Sequence, residues 1–225
     1  MPDFSCPELG LCYVDCTLTG TCIRTCHLDA FSYGSDEEVA QLAALKCDRL
    51  DGPLIVYGDV TSLAGLETIR MVTSQISIDV HDLDDISGLS GLETVDGRLV
   101  LSGLDALTEV EFPALKDVGA SLLFVALGSV QRILLPQLTS VGEDCDINGT
   151  SATEIDLDAL EHVGANMRIF SNPDLQTLNE LPSLVEAGSL EIAMNESFPQ
   201  CEADAIAARL NLSCPLCTGN SDVCP

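Results

Sequence analysis

This 225-residue chain contains 11 cysteines, which can form disulfides or bind a metal. Ten of them lie toward the two ends of the chain: Cys6, Cys12, Cys16, Cys22, Cys26, Cys47, Cys201, Cys214, Cys217 and Cys224. Cysteines in this number and arrangement are typical of disulfides formed outside the reducing cytosol. The spacing of Cys214 and Cys217 also suits zinc or a redox CxxC motif, but no second CxxC follows at finger distance and the histidines are scattered. The sequence predicts disulfides and no metal or cofactor, with zinc as the alternative.

The predicted disulfides place the protein outside the cell or on its surface. The first residues, Met1 to Cys6, have neither the basic start nor the apolar stretch of a signal peptide, so we expect that a signal was removed or lies outside this chain. No run of about 18 apolar residues is present, and the sequence therefore predicts no transmembrane segment.

Charged residues offer a second kind of chemistry. Asp146, Arg168 and Glu191 follow one another at 22 and 23 residues and would form an acid-base-acid row if the chain repeats at that interval. Stacked strands would place the two carboxylates about 10 Å apart, near the separation used by inverting glycosidases. A polysaccharide-active enzyme is therefore one hypothesis. Opposite charges on neighbouring strands are also ordinary sheet stabilisation, and no aromatic sugar subsites accompany them, so we predict a protein that is not an enzyme.

Two further groups of polar residues are candidate sites. The acidic loop from Asp82 to Asp85, with Asp79 and His81 beside it, has oxygen ligands that suit calcium, but its spacing matches no calcium motif and a solvated loop is favoured. Sequons for N-glycosylation occur at Asn148-Gly-Thr150, Asn195-Glu-Ser197 and Asn211-Leu-Ser213.

The overall charge excludes several classes of partner. With 36 acidic and 9 basic side chains, the formal net charge is −27. A surface this negative repels phosphate backbones and anionic lipids, so we expect no binding to nucleic acid or to membrane surfaces. Hydrophobic residues make up 46% of the chain and aromatic ones only 4%, which predicts a folded protein with an aliphatic core.

An internal repeat defines the elements that must position these residues. The segments Leu92-Glu-Thr-Val95, Leu115-Lys-Asp-Val118, Leu138-Thr-Ser-Val141, Leu160-Glu-His-Val163 and Leu184-Val-Glu-Ala187 recur at intervals of 22 to 24 residues. Most are followed by Gly, a short alternating run and a third apolar set. Short runs rich in Val, Ile and Leu between Gly, Asn, Asp and Pro are typical of strands, and units this small must stack to bury a face.

The repeat predicts an all-β fold, a right-handed parallel β-helix or leucine-rich-repeat-like solenoid of six to seven coils. A short helix should cap each end: a capping box at Ser35-Asp-Glu-Glu38 begins one, and residues 201–210 form the other. We divide the chain into a disulfide-rich N-terminal segment (1–33), the solenoid (34–200) and a disulfide-pinned C-terminal cap (201–225).

Alternation within each repeat separates inward from outward positions. Cys145 aligns with the inward Leu122 and Met167, which predicts a buried free thiol and leaves ten cysteines for five disulfides. A set of outward residues is apolar on a protein that is otherwise acidic, and we predict that it binds a protein or glycan partner: Ile55, Tyr57, Val100, Leu123, Val125 and Phe170. The other interpretation is that the N-terminal segment folds over these residues.

The repeated units resemble the receptor L domain, the ligand-binding β-helix of the insulin and epidermal growth factor receptors, which also occurs in microbial surface proteins. The similarity rests on a helix near 36–46, on the segment Cys47-Asp-Arg-Leu-Asp-Gly-Pro-Leu-Ile-Val56 and on units such as Leu92-Glu-Thr-Val-Asp-Gly-Arg-Leu-Val-Leu101. It covers about residues 34–213. The resemblance implies that Cys26 bridges to Cys47 and that the protein is a recognition or adhesion module; the N-terminal cysteine cluster departs from the family. A purely structural surface protein with no discrete ligand is a further alternative.

Overall fold

The computed structural model describes residues 12–16, 22–27, 31–179, 181–214 and 216–224. It contains helices α1 (Asp36–Ala44) and α2 (Gln200–Arg209) and a 3-10 helix at Ser87–Leu89. The strands, in chain order, are β1 (Cys12–Cys16), β2 (Cys22–His27), β3 (Phe31–Tyr33), β4 (Arg49–Asp51), β5 (Leu54–Tyr57), β6 (Met71–Val72), β7 (Ile76–Asp79), β8 (Thr94–Val95), β9 (Leu99–Ser102), β10 (Glu109–Glu111), β11 (Asp117–Val118), β12 (Leu122–Val125), β13 (Arg132–Leu134), β14 (Ser140–Val141), β15 (Cys145–Asn148), β16 (Glu154–Asp156), β17 (His162–Phe170) and β18 (Glu186–Ala193).

These strands stack in parallel ladders on three faces, which confirms the predicted all-β solenoid with about seven turns. Face A consists of β2, β4, β6, β8, β11, β14 and the first half of β17. Face B consists of β3, β5, β7, β9, β12, β15 and the second half of β17. Face C consists of β10, β13 and β16, and β18 pairs along both halves of β17.

The N-terminal segment is continuous with the solenoid where it is described. Strand β2 pairs with β4 at the edge of face A, β3 pairs with β5 at the edge of face B, and β1 lies antiparallel to β2. Both ladders are therefore extended at their N-terminal ends, where an unpaired strand edge would otherwise be exposed.

The core is a set of stacked aliphatic rows, as the low aromatic content predicts. Val95, Val118, Val141 and Val163 lie in register on face A, and each is at most 1% exposed. Aromatic contact between described residues includes Phe112 and Phe124, whose ring centroids are 6.4 Å apart. Burying such a row stabilises the fold by about 25 cal/mol for each Å² of apolar area that is removed from water. This hydrophobic contribution holds the short strands in register.

Glycine follows Val118, Val141 and Val163 of face A because consecutive coils approach closely there. A Cβ atom added to Gly142 would lie 2.1 Å from the carbonyl oxygen of Gly119, and one added to Gly164 would lie 2.1 Å from that of Gly142. Only a residue without a side chain fits at these positions. The Val-Gly pair of these three coils is thus a steric requirement of the turn between faces A and B.

A second turn follows the face B strands, and after most of them it has a left-handed backbone; β3 and β7 are exceptions. Gly58, Gly103 and Gly149 occupy this corner with φ of 72°, 62° and 67°. Ala126 and Ser171 occupy it with φ of 55°, a conformation that costs residues with a Cβ about 1–2 kcal/mol.

Buried asparagines close the last coils just after this corner. Asn172 and Asn195 are 0% exposed, and each donates from Nδ2 to the carbonyl of the preceding face B strand, at Ile147 and Ile169 respectively. The Oδ1 of Asn195 accepts from the backbone N–H of Asn172, and Asn220 repeats the arrangement on Asn195. The ladder satisfies backbone groups that the turns would otherwise leave buried and unpaired.

Both predicted caps are present, and each is anchored by polar contacts. Ser35 Oγ accepts from the N–H of Glu38, as in a capping box, and Glu38 Oε2 accepts from the N–H of Gly34, one residue before the N-cap. At the other end, the guanidinium of Arg209 donates to the carbonyls of Leu181 and Leu184 and so holds α2 to the last coil.

Four disulfides join described cysteines: Cys16–Cys22, Cys26–Cys47, Cys201–Cys224 and Cys214–Cys217. The bridge from Cys26 to Cys47 is the one that the resemblance implies, and it holds the end of α1 to face A. The CxxC cysteines pair with each other, which favours the disulfide over the zinc interpretation. Cys12 Sγ lies 3.4 Å from Cys26 Sγ, and Cys6 lies outside the described residues, so a fifth disulfide stays a prediction.

Candidate recognition surface

The outward rows of face B bring the predicted ligand-binding residues onto one sheet. The first row runs through Ser32, Ile55, Ser77, Val100, Leu123, Asp146, Arg168 and Glu191. The second runs through Tyr57, Asp79, Ser102, Val125, Asn148, Phe170 and Ala193. The register deduced from the repeat is therefore confirmed across the whole face.

The six apolar residues of these rows form three patches. Val100, Leu123 and Val125 occupy neighbouring positions of β9 and β12, and we call them the central patch. Each is partly exposed, whereas the residues between them on the same strands are buried. Parallel strands stack about 4.8 Å apart, so the three side chains form one apolar surface.

The other predicted residues lie apart from the central patch. Ile55 and Tyr57 are one coil further away, beyond Ser77 and Asp79 of β7. Tyr57 is 49% exposed, and its ring lies against Gly34. Phe170 is on the far side of the central patch, beyond Asn148. The six predicted residues therefore do not form a single continuous apolar strip, because polar residues lie between them on the intervening coils.

The described N-terminal strands leave the central patch uncovered. Strand β3 stops at the edge of β5, and β1 and β2 belong to face A. Among the described residues, the N-terminal segment lengthens the two ladders and does not cross β9 or β12. The interpretation in which this segment covers the patch finds no support in the part of the chain that the structure describes.

The acid-base-acid row lies beside the central patch and is held together internally. Arg168 Nη1 is 3.1 Å from Asp146 Oδ2, and Arg168 Nε donates to Glu191 Oε2 at 3.1 Å. The second oxygen of Asp146, Oδ1, is buried without a hydrogen-bond partner. Burial raises the pKa of Asp146, against the attraction of Arg168 and with smaller repulsion from Glu191 and Asp144.

The contacts of Asp146, Arg168 and Glu191 are those of ion pairs that stabilise a β-sheet. The guanidinium lies between the two carboxylates and contacts both, so the space that a water nucleophile needs between them is occupied by Arg168. A raised carboxyl pKa is one property of a general acid, which keeps the catalytic hypothesis testable. Packing and ion pairing explain all three residues without it.

Similar charged rows stabilise the other two faces, and sequence reasoning missed them. On face A, Glu93 accepts from Lys116 and Arg70 at 2.7 and 2.8 Å. These hydrogen bonds, with that to Lys116 the stronger, lower the pKa of Glu93. On face C, Arg132 contacts Glu109 and Glu154 at 3.1 and 3.2 Å. The recurrence of opposite charges at the repeat interval was the signal that could have found them.

The three rows explain how the charge is distributed. Among the described residues, Arg70, Lys116, Arg132 and Arg168 each contact one or two carboxylates of the solenoid. With 36 acidic and 9 basic side chains in the chain, carboxylates far outnumber the cations that could pair with them. The central patch contrasts with this negative surface because its three outward residues carry no charge.

The acidic loop at Asp82 to Asp85 lies beside an open cleft on face C. The cleft has a volume of about 140 Å³ and lies between this loop and β10, with Asp84, Ser87 and Glu111 among its lining residues. Asp85 accepts from the N–H and hydroxyl of Ser87, and His81 contacts Asp105 at 2.9 Å. No group of three metal-ligating side chains occurs among the residues that the structure describes.

Cys145 occupies an inward position of face B, as predicted. It is 0% exposed and pairs in register with Leu122 and Met167. Burial, and to a smaller extent the charge of Asp146, raises the pKa of this thiol to about 12. A thiol that stays protonated and is closed off from solvent behaves as a small apolar side chain and does not act as a nucleophile.

Comparison with known proteins finds a partial similarity to a yeast protein. No family model matches the chain, and no solved structure matches it. The chain is 28% identical over 146 residues to sporulation-specific protein 22 of Saccharomyces cerevisiae, an alignment that covers 64% of this chain and 30% of the yeast protein. The chain thus spans less than a third of its curated relative. Within the described ranges, no helix is long and apolar enough to cross a membrane.

Proposed function

We propose that this protein is an extracellular recognition or adhesion module that binds a protein or glycan through face B and has no enzymatic activity. Four disulfides and a β-solenoid support an extracellular location, since disulfides persist in oxidising compartments. The resemblance of the repeats to receptor L domains supports a binding role, although fold alone does not define a function.

The observation that carries the proposal is the central patch. Val100, Leu123 and Val125 are partly exposed neighbours on a rigid sheet, while the rest of the surface is strongly acidic. An apolar surface bordered by polar residues is a common form of a contact site. Asp146 and Arg168 flank it and would contribute polar contacts at its rim.

The test is to replace the patch without disturbing the core. We expect the double variant Val100→Ser, Leu123→Ser to keep its thermal stability, because both side chains point outward. Binding of the labelled full chain to intact cells of the source organism, measured as a saturation curve, should weaken at least about tenfold. A factor of ten corresponds to about 1.4 kcal/mol, less than the value of one buried aliphatic side chain.

Val185→Ser is the matched control, because Val185 is apolar and 66% exposed but lies outside face B's central patch. Its binding curve should match that of the wild type. Unchanged binding by the double variant would disprove the role of the patch. Unfolding of the double variant would show that Val100 and Leu123 belong to the core, and Val100→Thr, which retains a similar shape, would then be used to measure binding alone.

The absence of enzymatic activity is tested separately. The wild-type chain is incubated with a panel of neutral and acidic polysaccharides, and new reducing ends are measured. We expect none. Cleavage by the wild type that Asp146→Asn abolishes would overturn the non-enzymatic proposal and would assign the activity to the row of Asp146, Arg168 and Glu191.

A further inference from the structure

The three N-glycosylation sequons occupy very different positions in the fold. Asn148 lies on face B, Asn195 belongs to the buried asparagine ladder, and Asn211 follows α2. The sequence motif is the same in each case, Asn-x-Ser/Thr, so only the structure distinguishes them.

Asn195 is incompatible with a glycan in the folded protein. Its side chain is 0% exposed, and its Nδ2 donates to the carbonyl of Ile169 at 3.0 Å. The linkage to sugar forms at this same nitrogen, so a glycan would need to occupy the closed interior of the coil. Nδ2 also donates to Asn220 Oδ1 at 3.4 Å, so both amide hydrogens are engaged and the linkage to sugar would remove one of them.

Asn211 has the opposite surroundings. It is exposed and lies one residue beyond the C-cap of α2, with a left-handed φ of 53°. Its N–H donates to the carbonyl of Ala208, and the N–H of Leu212 donates to that of Ala207. This pair of bonds is the Schellman motif, which fixes the backbone of the helix end. In the described part of the chain, no hydrogen bond engages the side-chain amide of Asn211.

We propose that Asn211 carries an N-linked glycan and that Asn195 does not. The donor is an oligosaccharide linked through pyrophosphate to a polyprenol lipid. The Asn211 amide nitrogen forms a bond to the anomeric carbon and loses one proton, while the bond from that carbon to the pyrophosphate oxygen breaks and the lipid pyrophosphate leaves. No electron is gained or lost. The inference rests on the proposed export of the protein, because this transfer occurs in the secretory pathway.

The position of Asn211 keeps the glycan away from the central patch. Arg209, two residues earlier, donates to the carbonyls of Leu181 and Leu184, so the end of α2 lies over the corner that leads from face C to face A. Ser213, which completes the sequon, is also exposed. A glycan here would cover the C-terminal end of the solenoid, where another chain would otherwise have access.

The test is a map of glycan occupancy on the full chain secreted by a eukaryotic host. Peptide mass spectrometry after enzymatic deglycosylation converts each occupied asparagine to aspartate. We expect Asn211 converted in most molecules and Asn195 in none. Ser213→Ala should remove one glycan from the intact mass, whereas Ser197→Ala, the matched change in the Asn195 sequon, should leave the mass of the glycans unchanged.

A further variant separates the glycan from the helix cap. Asn211→Gly removes the acceptor but suits the left-handed cap at least as well as Asn, so it should lose the glycan and still be secreted in folded form. An unmodified Asn211, or a glycan on Asn195 of the folded protein, would overturn the assignment. A glycan on Asn148, beside Val125 and Phe170, would instead contradict the proposed binding role of face B, so the two proposals fail by different results.

Discussion

The close approach of coils at the Val-Gly turn makes a sharp prediction about stability. In Gly142→Ala, the new Cβ would lie 2.1 Å from the carbonyl oxygen of Gly119 and 2.8 Å from its carbonyl carbon. Carbon and oxygen normally approach no closer than about 3.3 Å. The two coils must therefore move apart by about 1 Å at this point, because a backbone carbonyl cannot rotate aside as a side chain does.

The cost follows from the bonds on either side of the turn. The N–H of Gly142 donates to Val118 at 2.8 Å, and the N–H of Glu143 donates to Ala120 at 3.0 Å. A displacement of about 1 Å lengthens both beyond hydrogen-bond range, and each loss costs about 1 kcal/mol. Overpacking adds about 1–3 kcal/mol. We expect Gly142→Ala to lower the free energy of unfolding by about 3–5 kcal/mol, and the melting temperature by about 6–20 °C.

Thermal unfolding followed by circular dichroism measures this effect, and the chain offers a matched control. A Cβ added to Gly128 would have no atom within 4 Å, so Gly128→Ala should change the melting temperature by no more than about 2 °C. If Gly142→Ala melts within that margin of the wild type, or if both variants lose the same stability, the coils are not in steric contact at this turn and the reasoning is wrong.

Other predictions concern single residues of face B and its corner. Ala126→Gly should raise the free energy of unfolding by about 0.5–1 kcal/mol in a denaturant titration, because it relieves a left-handed φ of 55°. Site-resolved alkylation at pH 8 should modify Cys145 only in denaturant, since burial raises its pKa to about 12. Burial also raises the pKa of Asp146 in the folded state above its unfolded value, so its contribution to stability is lost as pH rises through the folded pKa. The stability of Asp146→Asn relative to the wild type should therefore increase from acidic to neutral pH; a decrease would show that pairing with Arg168 dominates.

The repeat was sufficient to predict the coils and their register. Inward positions recur with the same residue types, so the repeat alone places Cys145 between Leu122 and Met167, and the structure confirms it. The start of α1 at Ser35 and Glu38 was also predicted from the sequence, because its capping contacts are between residues close in the chain. Periodicity and short-range motifs determine both results, and neither depends on how distant parts of the chain meet.

The asparagine ladder was not predicted. Asn172 and Asn195 look like ordinary loop residues in the sequence, and only the stacked corners show that each closes the coil before it. Such a contact between coils cannot be deduced from the repeat that contains the asparagine. The polar break in the apolar row is different, because the register of the repeat already places Ser77 between Ile55 and Val100.

The pairing of basic residues and the location of the central patch are connected by charge. Arg70, Lys116 and Arg132 contact carboxylates of adjacent coils on faces A and C, and this leaves the acidic surface with few cations to attract an anionic partner. Arg168 does the same at the border of face B. Under the proposed binding role, a partner would therefore gain little from anionic groups of its own and most from apolar contact with Val100, Leu123 and Val125. Since apolar burial is insensitive to salt whereas charge attraction is screened, binding through face B should persist at high ionic strength.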